Sequence, residues 1–330
     1  MSEIRHGGDL TTAETRYGKP KDGWLDLSTG INPQPYPFLP PDTDAWHRLP
    51  QRAGLDRLID AAAKRYGAAN RSCIVAAPGS QTILQWLPRL LPPTRVLALA
   101  PTYGEYVPTW RAGGHDARLT DTLDAARDAA VVVLANPNNP DGRRHAPETL
   151  LALAAELATR GGWLLVDEAF ADADPEISVA RHAGMAGLVV LRSLGKFYGL
   201  AGLRLGFALA PADLAAKLAA AIGPWAVSGP ALAIGAQALE DSAWTAETRD
   251  RLALASARLA ALLLDAGCEP IGGTALFQLA RHARAAALQE HLGRQGILVR
   301  SFESEPDRLR FGLPAARDLP RLAAALAAFR

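Results

Sequence analysis

The sequence predicts an α/β protein, with a large α/β/α domain built on a mostly parallel sheet and a smaller α+β domain after it. Three observations lead to this fold class. Apolar runs of strand length recur without alternating polar residues, as in strands buried on both faces of a parallel sheet. Helical patterns separate these runs and supply the crossovers that parallel strands need. The length of 330 residues also exceeds what one compact core usually holds.

The domain limits follow the changes of pattern along the chain. Residues 1–50 are rich in glycine and proline, and they predict an extended arm that contributes to the small lobe and to the active site. Residues 51–228 form the predicted large domain, with strands at CIVAAPGS, RVLALAP, VVVLANP, WLLVDEAF, LVVLRSL and RLGFALA. Residues 229–330 form the predicted small domain, with helices near 230–266, 284–295 and 317–329 and strands at FQLA, ILVRS and RLRFG.

Composition narrows the classes of function. The net charge is only +1, so the protein lacks the broad basic surface that binding to nucleic acid or to a membrane requires. A small-molecule ligand is expected instead. Cys73 and Cys268 have no CxxC partner, which argues against a disulfide framework or a cysteine zinc site. MSEIRHGGDL has no apolar core of signal-peptide length. We therefore expect a cytoplasmic protein without membrane or nucleic-acid partners.

Ligands of open α/β sheets bind beyond the carboxyl ends of the strands, and the segments at these ends are unusual here. Gly79 and Ser80 follow the first strand and begin a helix, where free backbone N–H groups favour an anion; ordinary helix capping also explains them. Tyr103 follows the next strand and could stack on a planar ligand or pack in the core.

Two further strand ends carry polar side chains. The turn NPNNPDG holds three amides, more than a reversal of direction needs, and we expect one of them to face a ligand. Asp167 ends the strand WLLV, and the seven histidines show no spacing that would complete a metal site around it. No metal is therefore predicted.

Lys196 stands apart from the other lysines. The chain has five lysines among its 35 basic residues, and Lys196 is the one that follows an apolar strand and precedes a glycine-rich bend. An amine can lose its proton and attack a carbonyl, whereas a guanidinium cannot. A lysine at this place therefore predicts imine chemistry.

In this order the motifs resemble those of the class I/II aminotransferase branch of the fold-type-I pyridoxal-phosphate enzymes. The resemblance covers nearly the whole chain, and its most specific parts are NPNNPDG, DEAF and SLGKFYGLAGLR. It implies a fold-type-I transferase fold and pyridoxal 5'-phosphate as cofactor.

The resemblance also implies a role for each matching residue. Lys196 would bind the cofactor covalently, Asp167 would pair with its ring nitrogen, Asn139 would bond the ring oxygen O3′ and Tyr103 would stack on the ring. A carboxylate beside the ring nitrogen keeps it protonated, so that the ring can accept electrons. Arg310 matches the arginine that binds the substrate α-carboxylate. The cofactor phosphate would be held by Gly79, Ser80, Ser193 and Arg204.

Two departures narrow the branch. Phe170 stands where many of these aminotransferases have tyrosine, and Leu49 stands where those acting on histidinol phosphate have a tyrosine that reaches the neighbouring subunit. The opening HGGD, the arm motif LSTGINP and DEAF instead look like the threonine-phosphate decarboxylase family of cobalamin biosynthesis. In that case Asn32 lines the substrate site, and His6 and Arg300 are candidates for the substrate phosphate.

This resemblance implies decarboxylation of L-threonine O-3-phosphate by a homodimer. An aminotransferase acting on histidinol phosphate or a related phosphorylated amine is the main alternative. A pyridoxal-phosphate-binding regulatory protein without catalysis is a second one, although the chain carries no basic or helix-turn-helix appendage.

Overall fold

The computed structural model describes residues 7–126 and 128–329. Over these residues the strands are β1 (Leu25–Asp26), β2 (Ile74–Ala77), β3 (Arg95–Leu99), β4 (Asp116–Thr120), β5 (Val131–Ala135), β6 (Trp163–Asp167), β7 (Leu188–Ser193), β8 (Gly206–Leu209), β9 (Glu269–Thr274), β10 (Phe277–Arg281), β11 (Ile297–Leu298), β12 (Arg300–Phe302) and β13 (Glu305–Gly312). The helices are α1 (Leu10–Tyr17), α2 (Asp44–His47), α3 (Arg52–Tyr66), α4 (Ser80–Trp86), α5 (Tyr106–Ala112), α6 (Leu123–Ala126), α7 (Pro147–Ala158), α8 (Ala212–Ile222), α9 (Gly229–Glu240), α10 (Ser242–Asp265), α11 (Ala285–Arg294) and α12 (Leu319–Ala327).

The chain divides into two compact units. Of the described residues, the larger unit comprises 35–126, 128–139 and 144–245, and the smaller comprises 7–34, 140–143 and 246–329. These limits differ from the predicted ones at residues 50 and 228, because residues 35–50 and helix α9 belong to the larger unit. A Cβ on Gly235 of α9 would lie 3.0 Å from Leu58 Cδ1 of α3, so these two helices pack at close range.

The larger unit contains a seven-stranded sheet in the order β2-β8-β7-β6-β5-β3-β4. Strands β4, β3, β5, β6 and β7 are mutually parallel, and β8 runs antiparallel to both β7 and β2. The prediction of a mostly parallel sheet is therefore confirmed. Sequence patterns missed β4, since this edge strand buries Ala117 alone among its five residues and lacks an apolar run.

Both faces of this sheet are buried, as the uniform apolar runs predicted. Alternate residues such as Val131 and Val133 pack with side chains of α4, α5 and α8. Their neighbours Val132 and Leu134 are also buried, so the opposite face is covered too. Burial of both faces leaves the loops at the strand ends as the places where polar side chains can meet a ligand.

The smaller unit is α+β, as predicted. Its four-stranded antiparallel sheet has the order β12-β13-β10-β9, and β1 pairs with β11 in parallel. The expected extended arm contains a helix, α1, because Asp9 caps it by accepting a hydrogen bond from the Thr12 backbone N–H at 3.0 Å.

The helical segment predicted near 230–266 consists of two helices. Helix α9 ends at Glu240, and the Asp241 carboxylate then accepts a hydrogen bond from the Trp244 backbone N–H, which begins α10. Within the described part of the chain, every helix is too short or too polar to cross a bilayer.

Candidate active site

The predicted site residues fall in both units, and each unit holds its own group. Gly79, Ser80, Tyr103, Asn139, Asp167, Ser193, Lys196 and Arg204 belong to the larger unit, and Asn32, Arg300 and Arg310 belong to the smaller one. His6 lies outside the described residues.

In the larger unit, sheet topology brings three predicted phosphate-binding segments together. Gly206 begins β8 and pairs with both Ala77, at the end of β2, and Ser193, at the end of β7. Because β8 runs against its two neighbours, Arg204 precedes the same sheet edge at which those strands end. Close packing at this edge is evident, since a Cβ on Gly206 would lie 2.3 Å from the Ser80 backbone nitrogen.

The backbone conformation of this turn requires glycine at Gly79. Its φ of +84° lies in the left-handed region that L side chains rarely adopt. A Cβ there would also lie 2.7 Å from the Arg204 guanidinium. The Arg204 guanidinium therefore approaches the turn before Ser80, and Ser193 ends the strand that pairs with β8 at the same level. Donors of this kind suit an anion.

Asp167 is a buried carboxylate at the same end of the sheet, where the parallel strands terminate. It ends β6 and is 8% exposed. Its Oδ2 accepts a hydrogen bond from the Tyr106 hydroxyl at 2.8 Å, and its Oδ1 accepts one from the Ala169 backbone N–H at 3.0 Å. Burial raises the pKa of Asp167, while these donors and the charge of Lys196 oppose that shift.

Lys196 follows β7 in a bend that begins at Ser193, whose hydroxyl accepts a hydrogen bond from the Gly195 backbone N–H at 3.2 Å. The Lys196 ammonium lies 5.6 Å from the centre of the Phe170 ring. Phe170 is buried and follows Asp167 by three residues. The amine thus lies near a buried aromatic ring, in the loop after a parallel strand.

The turn after β5 assigns its amides to different tasks. Asn136 donates to the carbonyl oxygens of His145 and Ile177, and Asn138 donates to the Pro101 carbonyl at 2.7 Å. Two of the three amides therefore brace the loop. Asn139, the predicted ligand residue, is half-buried at the end of this run.

Tyr103 lies beside a second tyrosine that sequence reasoning passed over. The Tyr103 hydroxyl donates to Gln81 Oε1 at 3.2 Å, and its ring meets the Tyr106 ring edge-on at 5.5 Å. Tyr106 is 1% exposed and holds Asp167. The sequence signal for Tyr106 was present in PTYGEY, where a second aromatic begins the helix that follows the strand.

In the smaller unit, two predicted substrate residues are cross-strand neighbours. Arg300 of β12 pairs directly with Arg310 of β13. Arg310 is buried, donates to the Ser28 carbonyl oxygen at 2.8 Å and lies over the Phe277 ring. Burial and the charge of Arg300 lower the pKa of Arg310 to about 10. Two arginines on paired positions, one of them buried, favour an anionic ligand.

Asn32 is also buried in the smaller unit, and its Oδ1 accepts a hydrogen bond from the Gln34 backbone N–H at 3.0 Å. This bond fixes the amide within the arm motif predicted from LSTGINP. No cluster of three histidine, cysteine, aspartate or glutamate side chains suited to a metal ion occurs in residues 7–126 and 128–329.

A second buried charge cluster was missed by sequence reasoning. Arg192 of β7 donates to Glu168 Oε2 at 2.6 Å and to Asp172 Oδ1 at 2.5 Å, and it lies over the Tyr66 ring. Although burial works against its charge, the carboxylates of Asp172 and Glu168 raise the pKa of Arg192 above its ordinary value. An arginine inside the apolar strand LVVLRS was the available signal.

Comparison with known proteins agrees with this arrangement. Residues 39–329 match the family of class I and II aminotransferases. The chain is 47% identical to a threonine-phosphate decarboxylase of a Sinorhizobium species, over 98% of both chains. It is 46% identical to one of Pseudomonas aeruginosa, over 99% of this chain and 98% of the relative.

More distant relatives share the fold. A histidinol-phosphate aminotransferase of Mycobacterium bovis is 33% identical over 77% of this chain and 71% of the relative. The crystal structure of L-threonine-O-3-phosphate decarboxylase from Porphyromonas gingivalis superposes with a TM-score of 0.76 at 21% identity, covering 92% of this chain and 98% of that one. The chain therefore belongs to the class I and II aminotransferase family and, within it, to the group that contains the threonine-phosphate decarboxylases.

Proposed function

We propose that this protein is a pyridoxal 5'-phosphate-dependent carboxy-lyase that converts L-threonine O-3-phosphate to (R)-1-amino-2-propanol O-2-phosphate and CO2. The product would supply the linker of the cobalamin nucleotide loop. The observation that carries this proposal is the identity of 46 to 47% with threonine-phosphate decarboxylases along nearly the whole chain. The site residues add chemical support.

The residues of the larger unit fit the cofactor. A lysine amine suits its aldehyde, a buried carboxylate suits its ring nitrogen, and the donors around Gly79 suit its phosphate. The Arg204 guanidinium lies close to this turn, since a Cβ on Gly79 would lie 2.7 Å from it. When bound, pyridoxal phosphate supplies a protonated ring that takes up the electron pair released when a bond to the substrate Cα breaks.

The protein's own residues would divide the remaining work. Asp167 keeps a proton on the ring nitrogen, because its carboxylate is held by two donors in a buried place. The Lys196 amine is the proposed proton carrier to Cα once CO2 has left, so that hydrogen replaces the carboxylate there.

Anion recognition would select the bond that breaks. Arg310 is proposed to bind the α-carboxylate, and Arg300 is a candidate for the substrate phosphate; Asn32 is proposed to line the substrate site. Anchoring both ends of a substrate fixes which substituent of Cα is lost, since only interactions that favour one transition state speed one reaction. Loss of carboxylate gives decarboxylation, and loss of the Cα proton gives amino transfer.

The proposal can be tested with the purified, cofactor-loaded protein. Incubation with L-threonine O-3-phosphate should release one CO2 per aminopropanol phosphate formed, and L-threonine without the phosphate serves as the matched control. Amino transfer from histidinol phosphate to a 2-oxo acid, with no CO2 from threonine phosphate, would assign the protein to the aminotransferase alternative. Bound cofactor without turnover of either compound would favour a regulatory protein.

We further propose a cytoplasmic homodimer. Trp46, Leu49 and Trp225 are large apolar side chains of the larger unit that are 59 to 67% exposed, and all three line one groove. Apolar surface of this kind favours contact with another protein surface. Free, buried Cys73 and Cys268 fit a reducing compartment. Light scattering on Trp46→Ser should show a shift from dimer toward monomer, and an unchanged mass would place the interface elsewhere.

A further inference from the structure

The Tyr106 hydroxyl contacts Asp167, the carboxylate proposed to pair with the cofactor ring. It is the first residue of α5, and its ring packs in the core of the larger unit. Its hydroxyl is the only atom of this side chain that can form a hydrogen bond, and it donates to Asp167 Oδ2 at 2.8 Å. The ring is thus anchored by packing while the hydroxyl is directed at a functional carboxylate.

Asp167 needs such a donor because it is both buried and charged when it works. An ionised carboxylate loses solvation in the protein interior and is stabilised there by donors. The Ala169 backbone N–H serves Oδ1, and Tyr106 serves Oδ2. With one donor on each oxygen, the plane of the carboxylate is fixed as well as its charge.

The surrounding charges do not duplicate this role. Lys196 and Arg192 act on Asp167 through their charge, and Arg192 itself is bonded to Glu168 and Asp172. Tyr103 raises the pKa of Tyr106 through its charge, and the Tyr103 hydroxyl donates a hydrogen bond to Gln81. Burial and the charge of Asp167 raise the pKa of Tyr106 well above its ordinary value, so the phenol remains a donor at any pH at which the protein works.

We propose that Tyr106 is a positioning residue: its hydroxyl orients Asp167 and keeps that carboxylate charged, and it acts on the cofactor only through Asp167. The proposal rests on the proposed function for the identity of the cofactor. The hydrogen bond itself belongs to the cofactor-free protein, so it can be tested without substrate.

The experiment compares Tyr106→Phe with Tyr36→Phe. Tyr36 is a matched control in the same unit, because its hydroxyl also lies within hydrogen-bond distance of a carboxylate, Asp241 Oδ2 at 3.3 Å. Both variants keep the aromatic ring. The measurement is the pH titration of the Asp167 side-chain carboxyl by 13C NMR in cofactor-free protein, with the signal assigned by its loss in Asp167→Asn.

Tyr106→Phe should move the Asp167 midpoint upward by about one to two pH units, since the loss of a hydrogen bond to a charged group disfavours the ionised form. Tyr36→Phe should leave it in place. In the same variant, affinity for pyridoxal phosphate should fall most on the acid side and approach the wild-type value as pH rises. A loss of affinity that is equal at every pH would mean a merely structural role and would overturn the proposal.

A second measurement covers the case in which Tyr106→Phe does not fold. Wild-type protein labelled with 13C at the tyrosine ζ carbon should show one tyrosine signal that shifts at the Asp167 midpoint and loses that step in Asp167→Asn. Absence of any such signal would overturn the proposal. Failure to release CO2 from threonine phosphate would instead remove the proposed function and leave this titration unaffected, so the two failures are distinguishable.

Discussion

Asp167 and Glu168 are consecutive buried acids, and they differ in whether a cation is bonded to the carboxylate. Neutral donors, the Tyr106 hydroxyl and the Ala169 backbone N–H, hold Asp167. A cation, Arg192, holds Glu168, together with the Ser178 hydroxyl and the Val179 backbone N–H. Asp167 lies at the proposed cofactor site, whereas Glu168 lies in a cluster whose charges are balanced by the protein's own side chains.

The difference indicates how to separate a functional from a structural buried charge. Glu168 is fully buried and has its negative charge matched by a guanidinium at 2.6 Å. Asp167 is slightly exposed and is held by neutral groups, so a cationic ligand can still gain from its charge. Variants on the Asp167 side should therefore lose ligand binding or turnover, and variants on the Glu168 side should lose stability.

The largest effect is expected from Lys196→Ala on the Asp167 side. Turnover of threonine phosphate should fall by at least about 10⁴-fold, because the variant loses both the cofactor-binding amine and the proton carrier. The visible absorption of the loaded protein should also disappear. The free energy of unfolding, measured by urea denaturation, should change by no more than about 1 kcal/mol.

The other lysines provide the contrast for this variant. Lys64 lies in α3 and Lys217 in α8, away from the ends of the parallel strands. Lys217→Ala should keep both absorption and turnover. Visible absorption that survives in Lys196→Ala and remains sensitive to borohydride would move the covalent site to another lysine.

Arg192→Met should give the largest loss of stability. It leaves Glu168 and Asp172, both nearly inaccessible to solvent, without their cation, and breaking a buried pair in this way costs about 3–5 kcal/mol. Arg57→Ala, which breaks an exposed pair with Glu240, is the control and should cost less than about 1 kcal/mol. Equal midpoints for the two variants in urea denaturation would contradict the structural assignment of the Glu168 side.

Sequence patterns predicted the features that follow from long-range periodicity. Uniform apolar runs identified the strands from β5 to β8. Strands buried on both faces are apolar at nearly every position, so they stand out as short continuous apolar segments. The same patterns missed β4 and β9, where exposed and glycine-rich residues give no apolar run. Capping by Asp9 and Asp241, which sets helix ends, depends on local geometry and was not anticipated.

The site was predictable where one residue type at a strand end implies a chemistry, as with Lys196 and Asp167. Their roles stay predictions. Tyr106 and Arg192 were missed for a different reason: each acts through a partner far away in sequence, Asp167 for the first and Glu168 for the second. Only the fold brings these partners into contact.

Arg204→Ala should have an intermediate effect, confined to the cofactor. Loss of one charge-assisted contact to a phosphate costs about 1.5–3 kcal/mol, so affinity for pyridoxal phosphate should fall by about 10- to 100-fold. Arg118→Ala, an exposed arginine that pairs with Asp116, should leave the affinity unchanged. Fluorescence titration of cofactor-free protein measures both, and an unaltered affinity in Arg204→Ala would remove Arg204 from the site.

The smallest and most direct test places the same substitution on each side of the comparison. Ser178→Ala removes one donor from Glu168, and Ser193→Ala removes a hydroxyl from the proposed phosphate cluster. Ser178→Ala should lower the free energy of unfolding by about 1–2 kcal/mol and leave cofactor affinity unchanged, because Arg192 and Val179 still hold Glu168. Ser193→Ala should have its larger effect on the cofactor. Its stability should fall by less than that of Ser178→Ala, since the Gly195 N–H, the donor of one partly buried hydrogen bond, loses its acceptor, and its cofactor affinity should fall about fivefold, the equivalent of about 1 kcal/mol. Urea denaturation and cofactor titration on both variants give four values. If each serine affected both quantities equally, the separation between a ligand-binding side and a structural side at the end of β6 would not hold.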